Sequence, residues 1–229
     1  MKKTLLTISI LSFSVLGNAQ TEYTNRAEFL KAVPQMIEGV QVVSPSEMTI
    51  KDTAATKKQM QSQGYIESDT PNPHGLMSVK ERAPSAKLNK DADPNDYYLK
   101  KDLSEVKLSF VYKEVADPAK RIGFAPVGKH LAQGWTGIRE FFEDPELGVC
   151  SLTSFHIKDT QMGIRINSDL VSYVVNNHPT TIEVEGSKKS GFIYTVSWVD
   201  NTFSKDFECA KMTFDKDLTK KMISLANNM

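Results

Sequence analysis

Two spacings in this chain could carry chemistry. Gly123-Phe-Ala-Pro-Val-Gly128-Lys129-His130 has the spacing of a phosphate-binding loop through its lysine. That chemistry needs a hydroxyl after the lysine to hold Mg²⁺, and His130 has none. It also needs a buried strand beforehand, for which Lys120-Arg121 is a poor start. These residues predict a glycine-punctuated loop with no nucleotide. Asp91, Asp93, Asn95 and Asp102 fall where a calcium loop places oxygen ligands. The turn position that needs glycine is Asp96, and the closing acid is aspartate rather than the longer glutamate. The stretch predicts a solvated turn, since Asp and Asn bond their own backbone. No metal and no cofactor are expected.

His74, His130, His156 and His178 are scattered and form no metal-ligating pair. His156 sits beside Phe155 and Ile157 in a strand-like run and could face either side of a sheet. No nucleophile elbow or Ser-x-x-Lys sequence occurs. No catalytic residue is therefore assigned. A triad assembled by the fold would start from His156.

Aromatic residues offer a binding surface instead. Phe192, Tyr194, Val196 and Trp198 recur at period two and share one face. Turned inward, that face is core. Left uncovered, it is a contact surface. Trp135, within Gly-Trp-Thr-Gly, is either a rim aromatic or a lid on the core. Trp135, His156, Tyr194 and Trp198 are the candidate binding residues.

Cys150 and Cys209 are the chain's two cysteines. They lack the spacing of a redox pair and predict a disulfide. Closing a loop of this length stabilises a fold by about 4 kcal/mol in the chain-entropy model.

These residues must be positioned by elements legible in the pattern. Asn25 and Glu28 are spaced as a capping box. Phe29, Leu30, Val33, Met36 and Ile37 follow at helical spacing, with Pro34 as a kink and Gly39 as the end. Val40–Val43 reads as a short strand, 52–63 as a polar helix and 64–67 as a returning strand. Four of the ten prolines lie between Thr70 and Asn95, so 70–105 reads as a long irregular connection.

Fourteen of the twenty aromatics lie between Phe110 and Phe214, which places the main core in the second half. Val106, Leu108, Phe110 and Tyr112 alternate with Lys107, Ser109, Val111 and Lys113, a half-buried period-two pattern that predicts a strand. Trp135–Glu143 predicts a helix with Ile138, Phe141 and Phe142 on one face. Strands are predicted over 149–157, 163–166, 171–175, 181–185, 192–199 and 204–213. The loop Gly186–Gly191 joins two of them as a hairpin. Asp215 caps a final helix over 215–227. The expected fold is α+β, with one main antiparallel sheet of about five or six strands. A C-terminal meander forms much of that sheet, and N-terminal helices and a C-terminal helix flank it. The division is a leader over 1–19, an accessory segment over 20–69, the connection over 70–105 and a main domain over 106–229.

The leader sets the compartment. Lys2 and Lys3 precede a short apolar stretch from Leu5 to Leu16. Gly17, Asn18 and Ala19 then give small residues at a cleavage site before Gln20. The apolar run is too short and interrupted to span a bilayer. Removing Lys2 and Lys3 from the 28 basic residues leaves 26 against 28 acidic ones, a formal net charge of −2. That balance predicts no nucleic-acid partner. The expectation is a soluble periplasmic or secreted protein without a transmembrane anchor. It binds a protein or small molecule rather than acting as an enzyme. The alternatives are a secreted hydrolase assembled only in the fold and a structural subunit of an envelope assembly.

Overall fold

The computed structural model describes residues 40–43, 53–82, 99–117, 120–160, 164–167, 171–176 and 178–229. The leader, the helix expected from Asn25 to Gly39 and the Asp91–Asp96 turn lie outside the described residues.

One sheet organises the chain. Its strands are β2 (Ile66–Glu67), β3 (Arg121–Leu131), β4 (Gly134–Asp144), β5 (Gly148–His156), β7 (Val171–Val175), β8 (His178–Ser187), β9 (Gly191–Val199) and β10 (Phe203–Lys211). The hydrogen-bonded path runs β2-β8-β9-β10-β5-β4-β3, and β7 also pairs with β8. β7 and β2 share the outer edge of β8. β7 meets it around Pro179–Thr181, antiparallel, and β2 meets it at Glu185 and Gly186, parallel. The sheet is thus mixed and larger than the five or six antiparallel strands expected. A separate parallel pair joins β1 (Val40–Val43) to β6 (Ile164–Asn167).

Two expectations fail on the same hairpin. Trp135–Glu143 is a strand rather than a helix, and Gly123–His130 is a strand rather than a loop. The two pair with each other, Phe124 opposite Glu140 and Ala125 opposite Arg139. Ile138, Phe141 and Phe142 satisfy a helical spacing, but they are buried on both sheet faces at once. A strand covered on both sides loses its alternation, so its sequence imitates a helix.

The expected strand over 106–113 fails differently. Its alternation is real: Val106 is buried, Phe110 and Tyr112 are half-buried, and Val111 is 94% exposed. Yet it forms only a single bridge, Leu108 to Trp135. It lies extended over the sheet and packs by side chains rather than by a ladder.

The main core occupies one sheet face. Phe192, Tyr194 and Trp198 from β9 meet Phe207 and Cys209 from β10, Leu152 from β5 and Phe142 from β4. The last helix, Leu218–Ala226, covers them with Leu218, Met222, Ile223 and Ala226, an amphipathic stripe at helical spacing. Its first turn follows Asp217 rather than the expected Asp215. Asp215 instead accepts the Asp217 N–H at 2.9 Å, and its own N–H donates to the Tyr194 hydroxyl at 2.5 Å.

In chain order the helices are α1 (Thr53–Gln63), α2 (Pro73–Met77), α3 (Val79–Arg82), α4 (Ile157–Thr160) and α5 (Leu218–Ala226). α2 and α3 fall inside the stretch expected to be irregular, as does a 3₁₀ turn at Leu103–Glu105. Asn72 starts α2 by accepting the Gly75 N–H at 2.8 Å, and Pro73 occupies the first turn, where its missing donor is not needed. Leu76 then packs on the second sheet face against Ala125, Phe141 and Ala210.

Cys150 and Cys209 stand opposite one another on β5 and β10, with their sulfurs 2.11 Å apart. The disulfide is formed, and no cysteine is free.

Candidate functional site

The face of Phe192, Tyr194, Val196 and Trp198, which the sequence leaves as either core or contact surface, is core. Tyr194 is fully buried and Trp198 is 2% exposed, beneath α5 and the neighbouring strands. Neither can meet a ligand without unpacking the sheet. Trp135 is half-buried on β4, its ring 5.1 Å from that of His130. His156 ends β5 between Phe110, stacked at 5.3 Å, and Phe203 at 5.7 Å. The fold therefore does not gather these four residues into one site.

His156 has a neighbourhood that resembles a triad by composition but not by order. Its Nδ1 lies 2.8 Å from Asp159 Oδ2, poorly aligned for a hydrogen bond. The Ser109 hydroxyl donates to the same Asp159 oxygen at 2.5 Å. The acid thus stands between serine and histidine. A triad needs the histidine between them, to take the hydroxyl proton. The cluster fastens the 106–112 segment to the end of β5. The Ser109 hydroxyl first, and the His156 ring after it, holds the Asp159 carboxyl below its ordinary pKa.

A concave feature lies on the opposite sheet face. On β8, β9 and β10 the residues between the core positions are Glu183, Glu185, Ile193, Thr195 and Glu208. Register sets Glu183 beside Thr195 and Glu185 beside Ile193. Phe141 and Arg139 of β4 project to this side as well. α2, α3 and Leu99 roof one end of the face, leaving a cleft of about 620 Å³. That size suits a small organic ligand.

The cleft has two unlike walls. Leu76, Val79, Leu99, Phe141 and Ile193 make an apolar end. Arg139, Glu183, Glu185, Thr195 and Glu208 make a polar one. Arg139 is already engaged with its surroundings. Its Nε donates to Thr153 Oγ1 at 2.6 Å, and its Nη1 lies 3.8 Å from Glu208 Oε2. The Ser151 hydroxyl reaches the same Glu208 oxygen at 3.4 Å. Glu183 and Glu185 have no cationic partner within 4 Å among the described residues. Glu183 stands inside the concavity yet remains open to water. Desolvation by the surrounding walls, and then the neighbouring Glu185, raise its carboxyl pKa.

Sequence reasoning passed over these residues because alternate polar positions in a strand normally mark a solvated face. Arg139 was hidden further by the helix reading of β4. The one available signal was the repeated Glu183-x-Glu185, which puts two like charges on one face of one strand.

Among the described residues the lining holds no Ser, Cys, Lys or His side chain, and its one hydroxyl is that of Thr195, which stands opposite Glu183 and Glu208 in the strand register. Nor do three His, Cys, Asp or Glu side chains converge anywhere among the described residues so as to hold a metal ion. The phosphate-loop spacing is likewise without its geometry. Gly128 sits at an irregularity of the edge strand β3, where the Lys129 N–H donates to Thr136 Oγ1 at 2.9 Å. No helix follows it, because β4 does.

Comparison with protein-family models, with characterised proteins and with solved structures finds no match to this chain.

Proposed function

We propose that this chain is an exported, non-enzymatic binding module and that the cleft roofed by α2 is its ligand site. One observation carries the reading. Two carboxylates stand without a cationic partner among the described residues, in a concavity that has an apolar end. Like charges left unpaired in a partly desolvated place lower stability. Such a conflict between local energetics and fold is expected where a site serves a ligand.

Export draws on separate features. The first twenty residues have the charge, apolar run and small-residue cleavage site of a secretory leader. The Cys150–Cys209 bridge is compatible with an oxidising compartment. No described helix is long and apolar enough to cross a membrane.

The binding reading is tested by titrating the purified protein with a small-fragment library while following backbone amide resonances. Shifts should cluster at Gly75, Glu183, Glu185 and Thr195. Binders that collect only elsewhere would remove the cleft from consideration. Export is tested by expressing the full chain in a bacterium and fractionating it. The expected product is an extracytoplasmic protein beginning at Gln20. A cytosolic protein still carrying Met1–Ala19 refutes export.

A further inference from the structure

The cleft discriminates by charge. Among the described residues Glu183, Glu185 and Glu208 line it against one guanidinium, that of Arg139, a formal charge of −2 on the walls. Arg139 is held by Thr153 and lies nearest Glu208, so its charge is spent at that side of the cleft. Glu183 and Glu185 come from one strand, two residues apart, and open on the same side. Opposite them α2 and α3 present Leu76 and Val79, with Leu99 beside them. The rest of the lining is uncharged: Pro71, Asn72 and Gly75 at the start of α2, and Thr195 on β9.

We infer that this cleft takes an organic cation, an amine joined to an apolar body, with the ammonium between Glu183 and Glu185 and the body under α2. The inference rests on the cleft being a ligand site and adds the class of ligand. An anion of equal size would meet two uncompensated carboxylates and only one engaged guanidinium. A small hydrated cation would leave the apolar wall unfilled. A linear or aromatic amine satisfies both walls at once, because its charge and its apolar surface occupy opposite ends.

The test uses three probes of one length: hexylamine, hexanol and hexanoate. Each is titrated into the purified protein at neutral pH, with amide shifts giving both site and affinity. Hexylamine should shift Gly75, Glu183, Glu185 and Thr195 and should bind more tightly than hexanol. Hexanoate should bind more weakly than either. The double substitution Glu183→Gln/Glu185→Gln keeps the shape of two water-accessible side chains. It should weaken hexylamine about tenfold and leave hexanol unchanged. Its melting temperature, measured alongside, reports that it is folded. Hexanol or hexanoate binding as well as the amine overturns the charge assignment while leaving the cleft a ligand site. Unchanged amine affinity in the double variant does the same. If none of the three probes perturbs the cleft, both this assignment and the site itself fall.

Discussion

The carboxylate of Glu140 is fully buried, and Arg121 Nε lies 3.2 Å from it. Three further donors complete its shell: the Tyr112 hydroxyl and the backbone N–H groups of Val115 and Ala116, each at 3.1 Å. Arg121 also reaches the Ala116 carbonyl at 3.0 Å and Glu114 at 2.5 Å. One acid on β4 thus fastens a segment without strand pairing, residues 112–116, to the sheet. Substituting Glu140→Ala should destabilise the protein by about 3–5 kcal/mol, because four donors lose their acceptor. Tyr112→Phe removes one of them and should cost about 1 kcal/mol. Urea unfolding measures both, and equal effects would show that Glu140 is not the hub.

The bridge between Cys150 and Cys209 joins strands that are already hydrogen-bonded neighbours. Replacing both cysteines by alanine should lower unfolding stability by about 2–4 kcal/mol through greater freedom of the unfolded chain. The native sheet pairing should survive. Denaturant midpoints of the oxidised protein and the double variant measure the loss, and the β-sheet circular dichroism reports the pairing. A variant that loses its sheet signal in buffer would mean that the bridge, rather than packing, holds β5 to β10.

Glu183 has a folded-state pKa raised by desolvation and by Glu185. A raised carboxyl pKa favours the protonated folded form. Its contribution is fully present below the unfolded value and is lost as pH rises through the folded one. At neutral pH the ionised group therefore opposes folding. Glu183→Gln should raise stability there by up to ~1 kcal/mol, small because the side chain is open to water. The gain should vanish in acid, where both proteins are neutral at this position. Melting temperatures of the two proteins from pH 3 to pH 8 would show the curves converging on the acid side. Parallel curves would mean that Glu183 carries no unfavourable charge.

The hairpin between β8 and β9 admits no side chain at Gly186. A Cβ there would lie 2.1 Å from the Gly191 carbonyl oxygen, which is backbone and cannot swing away. The turn is also pinned from outside, since Asp69 Oδ1 accepts from the Ser187 hydroxyl at 2.6 Å. Gly186→Ala should therefore cost more than about 2 kcal/mol, or re-register the hairpin. Thermal unfolding would detect the former, and amide shifts in 184–193 the latter.

Much of the architecture was written in local pattern. The meander from Thr181 to Thr213 was legible because one face is covered along its whole length and the other only near Ile193 and Ala210, so Tyr194 and Trp198 alternate cleanly with Thr195 and Ser197. The final helix was legible because Leu218, Met222 and Ile223 form a stripe. The paired cysteines pointed to their bridge. The hairpin of β3 and β4 was not legible. Phe141 and Phe142 are both buried, on opposite faces, and a doubly covered strand has no period to read. The segment 106–113 deceived in the other direction. Its alternation reports which side faces the protein, and a chain can be sided without a hydrogen-bonded neighbour.

The sequence by itself determined the α+β class, the disulfide pair and the placing of the main core in the second half of the chain, since each depends on residue type and near spacing. Tertiary structure alone decided the cleft. Arg139, Glu183 and Glu208 belong to three strands, and Leu76 to a helix over sixty residues earlier than Arg139. Only the order of strands in the sheet, which depends on long-range pairing, brings the two carboxylates of β8 under the apolar side of α2.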